Sequence, residues 1–348
     1  MYFDVVLEAM IALMDIAVLG AGAFGTSLAK VFAEVPGRPH RVTLWCRGEE
    51  TARHIQATRE STHLVGVTLP EVVDVTHDLD EAVTGKQLVI GVTPSHVVRE
   101  VLGRAAYFLG PETIVVSASK GIEQGTLATM DQVFRDILPP EASARAAFLS
   151  GPSFAKELVR GIPAAIVVAS HDAHSAVTVQ TQLTSELLRI YTTEDVIGVE
   201  LGGALKNVYA IGAGIADGLG FGHNTRAALI TRGLNEMARL GAHMGANPLT
   251  FSGLAGMGDL VLTCTGDLSR NRQVGLELGK GRTLKDIIAS MDAVAEGVKT
   301  TKAAHELAAR MGVDMPIVAA IYSVIEEGVT ARDAVTQLLR REVKAERL

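Results

Sequence analysis

The chain has 348 residues, of which 48% are hydrophobic and 20% are charged, as in an ordinary globular protein. Its formal net charge of −7 at pH 7 argues against a general nucleic-acid-binding role. The sequence contains no uncharged apolar run near the ~20 residues that an integral membrane helix needs. Because it has only two cysteines, Cys46 and Cys264, we expect no disulfide framework and predict a cytoplasmic, reducing environment.

Strand-like and helix-like segments alternate through the first half of the chain. The run Asp15–Leu19 predicts a buried strand, Thr26–Ala33 a helix and Arg41–Cys46 a second strand. A helical segment begins at Glu49. Further strand-like runs at 87–92, 113–117, 146–149 and 164–169 are separated by helical stretches at 97–108, 127–137 and 175–183. This alternation predicts an α/β fold, a doubly wound parallel sheet of the Rossmann type.

The pattern becomes helical near Thr193, with helical periods at 196–210, 225–244, 271–280, 296–311 and 316–326. We therefore predict a dinucleotide-binding domain at 1–194 and an all-α substrate and catalytic domain at 195–348. Residues 1–13 have neither the basic start nor the cleavage site of a signal peptide. We interpret them as an extension ahead of a natural start at Met14.

A glycine-rich turn, Gly20-Ala21-Gly22-Ala23-Phe24-Gly25, follows the first predicted strand and opens a helix. In that context Gly20 permits a tight turn, Gly22 lets the backbone approach a pyrophosphate, and Gly25 lets the helix pack against the strand. A glycine turn in some other βα unit is the alternative. The motif favours a nicotinamide dinucleotide, held by N–H groups and the helix dipole.

The end of the second strand bears on which dinucleotide binds. An NAD-specific protein commonly has an acidic residue there, but this chain has Cys46 followed by Arg47. A guanidinium suits a 2′-phosphate, so we favour NADP(H) as cofactor. The nearby acids Glu49 and Glu50 keep NAD(H) open as the alternative, and Arg47 could equally be a surface loop residue.

Two polar clusters follow predicted strands, where ligands bind in open α/β sheets. In Ser117-Ala118-Ser119-Lys120-Gly121, Lys120 could reach a carbonyl or phosphate oxygen, or could be a solvated loop lysine. In the second cluster, Ser150-Gly151-Pro152-Ser153-Phe154-Ala155-Lys156-Glu157, backbone N–H groups stand at a predicted helix start. Taken locally, an N-cap role for Ser153 is the safer interpretation.

A third cluster is an apolar, glycine-rich helix around Lys206 and Asn207. Lysines rarely occur in such surroundings unless they are paired or functional, so Lys206 is our main candidate for acid–base catalysis. A lysine that extends out of a buried helix is the alternative.

The fourth cluster runs through Gly256-Met257-Gly258-Asp259 and Thr263 to Ser269-Arg270-Asn271-Arg272. Serine, arginine and asparagine at a helix start can bind a substrate phosphate, or can form an ordinary capped helix with surface arginines. The sequence has no HExxH, no CxxC pair and no carboxylate cluster with metal spacing, so we expect no metal.

These clusters, in this order, closely resemble the bacterial-type NAD(P)-dependent glycerol-3-phosphate dehydrogenase family. The resemblance runs from about Met14 to about Leu339 and includes Pro94-Ser95-His96, Leu201-Gly202-Gly203-Ala204-Leu205-Lys206-Asn207 and Glu296-Gly297. It implies cofactor contacts from the glycine turn and from Ala23, Phe24, Arg47, Lys120, Ala155, Arg270, Val294 and Glu296. It also implies that the substrate is bound by Lys120, Gly151, Ser153, Lys206, Asp259, Ser269, Arg270 and Asn271.

The resemblance further implies that dihydroxyacetone phosphate is reduced to glycerol 3-phosphate, with Lys206 as proton donor or acceptor and Lys120 and Asp259 beside it in the catalytic site. We expect these two metabolites as the small-molecule partners, a homodimer, and neither nucleic acid nor a membrane as a partner. A hydroxyacid or sugar-acid dehydrogenase of the same architecture is the nearest rival, and a non-catalytic dinucleotide sensor is another.

Overall fold

The computed structural model describes residues 13–37, 39–291, 295–342 and 345. Most of the predicted extension, residues 1–12, lies outside the described residues, as does Val294. The described chain divides into two compact units. The first contains residues up to 119, 130–149 and 153–196, and the second contains 120–129, 150–152 and the residues from 197 onward.

The first unit is built on an eight-stranded sheet in the order β3-β2-β1-β4-β5-β6-β7-β8. The pairs β1–β2, β1–β4, β2–β3, β4–β5, β5–β6 and β7–β8 are parallel. The central strands are buried runs of apolar residues, as a sheet covered on both faces requires. The strands are β1 (Asp15–Leu19), β2 (Arg41–Trp45), β3 (Val73–Thr76), β4 (Leu88–Gly91), β5 (Ile114–Ser117), β6 (Ala147–Ser150), β7 (Ala164–Ser170) and β8 (Leu188–Thr193).

Helices connect these strands. The order in which successive strands are added to the sheet reverses between the neighbouring strands β1 and β4, and open α/β sheets bind ligands at such a position. The helices of this region are α1 (Ala23–Ala33), α2 (Glu49–Thr58), α3 (Leu79–Val83), α4 (Val98–Ala105), α5 (Met130–Ile137), α6 (Pro140–Ala144), α7 (Ala155–Leu158) and α8 (Ala173–Leu183).

The second unit is helical in its described part and has its own apolar core around α9, whose residues 201–216 are all buried. Its helices are α9 (Val196–Gly218), α10 (His223–His243), α11 (Asp259–Thr265), α12 (Arg270–Gly279), α13 (Leu284–Ala289), α14 (Glu296–Met311), α15 (Pro316–Glu326) and α16 (Ala331–Leu339). No described helix is long and apolar enough to cross a membrane.

The predicted doubly wound sheet and helical C-terminal region are confirmed. The sequence patterns do not predict β3, β8, α3, α6, α11, α13 or α16. β8 ends at Thr193, the position near which the sequence pattern becomes helical.

Candidate active site

The glycine turn in the first unit connects β1 to α1. Gly20 has a φ of +127°, a conformation that L side chains rarely adopt. A Cβ on Gly25 would lie 1.9 Å from the carbonyl oxygen of Gly20, so α1 can approach β1 only if residue 25 is glycine. Gly22 is the N-cap residue of α1. Gly20 and Gly25 therefore depend on the absence of a side chain.

The turn fits an anionic diphosphate. A Cβ built on Gly22 would meet no atom of the described residues within 4 Å, so there is open space beside the backbone. No side chain within the described residues caps the N-terminus of α1, and its first turn has no acidic residue. Ala23 and Phe24 are the first two residues of that turn and are partly exposed. Helix N–H groups and the helix dipole can thus act on a bound anion.

The end of β2 presents Arg47 to solvent. Cys46 is buried, and its N–H donates to the carbonyl oxygen of Thr76 at 2.8 Å. Burial raises the pKa of the Cys46 thiol to about 11, so it is an inert apolar group. Glu49 and Glu50 lie in the first turn of α2 rather than at the strand end. The first charged side chain after β2 is therefore the guanidinium of Arg47.

Ser153 and Ala155, also in the first unit, lie where β6 leads into α7. The helix begins at Ala155 with Phe154 as its N-cap residue, and Phe154 makes no side-chain capping bond. The local interpretation of Ser153 as the N-cap residue was therefore wrong by one position. Both residues are partly exposed.

A buried carboxylate connects two lysines in the second unit. The Asp259 side chain is 1% exposed. Its Oδ2 accepts from Lys120 Nζ at 3.0 Å, and its Oδ1 accepts from Lys206 Nζ. Lys120 Nζ also donates to the carbonyl oxygen of Gly151 at 3.4 Å. The structure thus brings together four residues that the sequence assigned to the site.

Glycines and a π-helical turn position this group. A Cβ on Gly202 of α9 would lie 2.4 Å from the carbonyl oxygen of Ala255, in the π-helical turn Leu254–Gly258 that leads into Asp259. A Cβ on Gly203 would lie 2.7 Å from Ser150 Oγ and 3.6 Å from Lys120 Cγ. Gly202 and Gly203, ahead of Lys206, therefore let the turn that leads into Asp259 and the Lys120 side chain approach α9.

The surroundings of Lys206 and Asp259 alter the pKa of both groups. Burial lowers the pKa of Lys206 to about 8, although the Asp259 carboxylate works in the opposite direction. Burial also works to raise the pKa of Asp259, but the charges of Lys120 and Lys206 hold it below its ordinary value. At neutral pH the carboxylate is ionised and the Lys206 ammonium can release a proton.

Ser269 is the N-cap residue of α12, and its Oγ accepts from Arg272 N at 3.2 Å. Arg270 is exposed at the first residue of that helix. Asn271 Nδ2 donates to Asn207 Oδ1 at 2.9 Å, and Asn271 Oδ1 accepts from Gly297 N at 2.9 Å. The start of α12 thus combines a helix dipole with a guanidinium and is tied to α9 and α14.

Glu296, the first residue of α14, stands directly before Gly297. Burial raises its pKa, while the nearby charge of Arg270 works to lower it. Val294 is not among the described residues, so its predicted cofactor contact stays a prediction.

Thr263 and Asn207 make contacts with the site residues that the sequence patterns do not predict. Thr263 Oγ1 lies 2.6 Å from the carbonyl oxygen of Asp259 and 3.3 Å from its Oδ1. The spacing of four residues between Asp259 and Thr263 could have indicated this contact, but α11 was not predicted. No group of three metal-ligating side chains occurs within the described ranges.

The glycine turn and the parallel sheet place the chain among the dinucleotide-binding α/β proteins. Models of the NAD-dependent glycerol-3-phosphate dehydrogenase N-terminus and C-terminus match residues 15–176 and 195–336. The chain belongs to the NAD-dependent glycerol-3-phosphate dehydrogenase family, as its sequence predicted.

Relatives cover nearly the whole chain. Glycerol-3-phosphate dehydrogenase [NAD(P)+] of Geobacter sulfurreducens is 54% identical over 333 residues, 95% of this chain and 98% of the relative. The Myxococcus xanthus protein of the same name is 53% identical over 330 residues, 94% of this chain and 98% of the relative. A crystal structure of glycerol-3-phosphate dehydrogenase from Coxiella burnetii has a TM-score of 0.88 at 36% identity, covering 94% of this chain and 99% of that one.

Proposed function

We propose that this chain reversibly reduces dihydroxyacetone phosphate to sn-glycerol 3-phosphate with NAD(P)H and so supplies glycerophospholipid synthesis. The observation that carries the chemistry is the buried Asp259 carboxylate that holds Lys120 and Lys206 together. The names of the relatives support the choice of substrate.

Lys206 is the proton donor of the reduction in this proposal. The nicotinamide, when bound, supplies a hydride to the ketone carbon. Negative charge then develops on the carbonyl oxygen, which the Lys206 ammonium stabilises and protonates. Asp259 orients that ammonium, and Lys120 provides a second positive charge beside it. In the reverse direction neutral Lys206 accepts the hydroxyl proton.

The substrate phosphate suits the start of α12. Ser269, Arg270 and Asn271 stand at a helix N-terminus, where the dipole and the guanidinium both favour an anion. Lys120, Gly151 and Ser153 complete the substrate contacts that we propose. Binding of the distant phosphate would orient the ketone for reaction. A hydroxyacid dehydrogenase would instead bind a carboxylate there, so turnover of a keto acid without turnover of dihydroxyacetone phosphate would contradict the proposal.

Replacing Lys206 by alanine tests the acid–base role. We expect kcat/KM for dihydroxyacetone phosphate to fall by at least about 10²-fold, the usual contribution of a general acid, while NAD(P)H binding persists. In the wild type, reduction should decline as pH rises through about 8, because the ammonium is lost, and oxidation should rise over the same interval. Steady-state rates in both directions from pH 6 to 10 measure this.

Lys280→Ala is the matched control, because Lys280 is an exposed lysine of the same unit that pairs with Glu277 at 2.8 Å. This variant should keep the wild-type rate, and its reduction and oxidation rates should depend on pH as those of the wild type do. If Lys206→Ala retained more than about a tenth of the activity, or kept the wild-type pH dependence, the proton-transfer role would be lost.

We further propose that the cofactor is preferentially NADP(H), with Arg47 at the 2′-phosphate; NAD(H) remains the alternative. The support is an exposed guanidinium directly after β2 and the placement of Glu49 and Glu50 in α2. Arg47→Ala should lower the ratio of kcat/KM for NADPH to that for NADH by about 10-fold or more, as loss of a charge-assisted contact implies. Ala23, Phe24, Ala155, Arg270, Val294 and Glu296 stay proposed cofactor contacts.

Arg53→Ala is the control for this experiment, because Arg53 is an exposed arginine of α2 that pairs with Glu49. It should leave the coenzyme ratio unchanged. An unchanged ratio in Arg47→Ala would remove Arg47 from the account of coenzyme preference.

We also infer a functional division near Asp195, a cytoplasmic location and a homodimer. In support of the division, the N-terminal family model ends at residue 176 and the C-terminal model begins at residue 195. Both cysteines are buried free thiols, which suits a reducing compartment. Limited proteolysis and sedimentation equilibrium test the division and the dimer.

A further inference from the structure

Arg272 belongs to the segment Ser269-Arg270-Asn271-Arg272, but the proposed function gives it no role. Its side chain is 14% exposed, whereas Arg270, two residues earlier, is exposed. A helix turns by about 100° per residue, so side chains two positions apart point to nearly opposite sides of α12. The two arginines therefore have different surroundings, and Arg270 is the more accessible of the two from solution.

Carboxylates of the same unit occupy the guanidinium group of Arg272. Asp217 Oδ2 accepts from its Nε at 2.9 Å and from its Nη2 at 2.7 Å. Asp267 Oδ1 accepts from its Nη1 at 2.9 Å. The backbone N–H of Arg272 donates to Ser269 Oγ at 3.2 Å. All three guanidinium nitrogens thus have acceptors in the chain, so Arg272 is a partner of Asp217 rather than a ligand of the substrate.

Asp217 lies in the last turn of α9, the helix that carries Lys206. Its side chain is 8% exposed, and its Oδ1 accepts from Nη2 of Arg226, on α10, at 2.6 Å. A carboxylate with so little exposure keeps its charge only when such partners replace its hydration. The backbones are also close here, because a Cβ on Gly214 of α9 would lie 2.0 Å from the carbonyl oxygen of Arg272. Asp217 therefore joins the end of α9 to the first turn of α12.

We propose that Arg272, held by Asp217, is a positioning residue for the phosphate of the substrate. The close backbone approach sets the distance between α9 and α12, and the ion pair sets the rotation of α12 about its axis. That rotation determines where Arg270 and Asn271 present their side chains and their N–H groups, which have no acceptor within the first turn of a helix. The inference rests on the proposed function, because it concerns how the phosphate is placed relative to Lys206.

Arg272→Gln tests the inference with two ketones that differ only in the phosphate. The ratio of kcat/KM for dihydroxyacetone phosphate to kcat/KM for dihydroxyacetone measures what recognition of the phosphate contributes to the reaction. We expect this ratio to fall by at least about 10-fold in Arg272→Gln, because a displaced first turn loses part of its contact with the phosphate. kcat/KM for dihydroxyacetone should stay within about 2-fold of the wild type. A merely structural loss would lower both values together and leave the ratio unchanged.

Asp217→Asn is the second variant, since it removes the charged partner and keeps Arg272. It should lower the ratio as Arg272→Gln does, and the double variant should be no worse than either single variant, because both remove the same contact. Arg272→Lys keeps the charge and can make one hydrogen bond to Asp217, so it should restore part of the ratio. A ratio that falls in Arg272→Gln but not in Asp217→Asn would mean that Arg272 acts on the phosphate directly, and would overturn the inference.

Arg226→Gln is the matched control, because Arg226 pairs with the same carboxylate from α10 and is 19% exposed. It should shift the urea midpoint about as far as Arg272→Gln does but leave the ratio unchanged. Arg282→Gln, just beyond the end of α12 and paired with Glu277 at 3.1 Å, should change neither. An equal fall of the ratio in Arg226→Gln, or an unchanged ratio in Arg272→Gln, would overturn the inference alone. A wild type without preference for the phosphorylated ketone would contradict the proposed function, and the inference with it.

Discussion

Asp259 is a carboxylate with almost no exposure to water, and two ammonium groups replace its solvation. A buried charge is tolerated only when such partners are present, and removing one partner leaves the others uncompensated. The same residue keeps Lys206 protonated more readily than burial alone would allow. Its proposed contribution is therefore both structural and catalytic.

Asp259→Asn separates these two contributions. Without the carboxylate, the pKa of Lys206 should fall further below about 8, by roughly 1–3 units, because the ammonium loses its counter-charge. The high-pH limb of ketone reduction should move to lower pH by that amount, and the free energy of unfolding should drop by about 3–5 kcal/mol. Profiles of kcat/KM against pH and urea unfolding measure the two effects.

Asp267→Asn provides the comparison, because Asp267 is 96% exposed and pairs with Arg272 at 2.9 Å. Loss of a surface ion pair should change stability by less than about 1 kcal/mol and leave the pH limb in place. An unshifted limb in Asp259→Asn would show that Asp259 does not set the protonation of Lys206.

Sequence reasoning identified these residues but not their pairing. Lys206 was recognisable because a lysine rarely occurs in an apolar, glycine-rich helix unless it is paired or functional. Its partner Asp259 is 53 positions away, and Lys120 is 139 positions from Asp259. Local patterns carry no information on such contacts, so the resemblance to a family, rather than periodicity, suggested that they share a site.

Two helices that carry the proposed site approach each other backbone to backbone. Gly214 and Gly218 of α9 face Gly275 and Gly279 of α12, with two glycines four residues apart in each helix. A Cβ on Gly275 would lie 1.9 Å from the carbonyl oxygen of Ile211. This contact fixes Lys206 on one helix relative to Ser269–Asn271 at the start of the other.

Gly275→Ala should therefore force the helices apart. We expect a loss of at least about 2 kcal/mol in the free energy of unfolding, because the added methyl group meets backbone rather than a flexible side chain. KM for dihydroxyacetone phosphate should rise, since the start of α12 would move away from Lys206. Chemical denaturation and steady-state kinetics measure the two changes.

Gly222→Ala is the matched control in the same unit. Gly222 has a φ of −86°, and its Cβ would meet nothing within 4 Å. This change should cost less than about 1 kcal/mol and leave KM unaltered. Equal stability of the two variants would mean that α9 and α12 are not held at the spacing described.

Prediction of the elements succeeded where burial makes the pattern simple. β1 and the helices α14 and α15 were predicted with the bounds observed, because they are strongly apolar or strongly periodic. β8 was missed because it alternates buried and exposed residues, including Arg189 and Tyr191, as an edge strand does. A continuous apolar run indicates a central strand, so this pattern does not predict the edge strands β3 and β8.

Short capped helices were missed for a different reason. Thr330 and Thr283 cap α16 and α13, and each accepts from an aspartate N–H three residues later. A threonine followed three residues later by an acid is a recognisable helix start. That signal was present in the sequence and could have located both helices, whereas the π-helical turn before Asp259 has no comparable signature.

The molecule as a whole has two compact units with separate apolar cores, so its stability depends on groups inside each core. In the second core Glu236 is 2% exposed and accepts from the N–H groups of Ile317 and Val318 at the start of α15. Burial raises its pKa to about 7, although these hydrogen bonds and the one from Tyr209 work to lower it. Global unfolding should therefore depend on the protonation of this single carboxyl group.

The sign of that dependence follows from the raised pKa in the folded state. The protonated carboxyl group contributes stability that is complete below the unfolded-state pKa of 4.5 and is lost as pH rises through about 7. Glu236→Gln stays neutral throughout. Relative to the wild type, its free energy of unfolding should therefore increase between pH 5 and pH 9, by up to about 3 kcal/mol.

Urea unfolding of both chains at several pH values measures this difference, and Glu277→Gln serves as the control. Glu277 is a surface acid whose pKa is lowered by hydrogen bonds from Lys280 and Arg282, so its replacement should not stabilise the chain as pH rises. The difference in the free energy of unfolding between Glu236→Gln and the wild type could instead stay constant from pH 5 to 9. In that case ionisation of Glu236 would not destabilise the folded chain. The hydrogen bonds from α15 and Tyr209 would then fully replace its hydration.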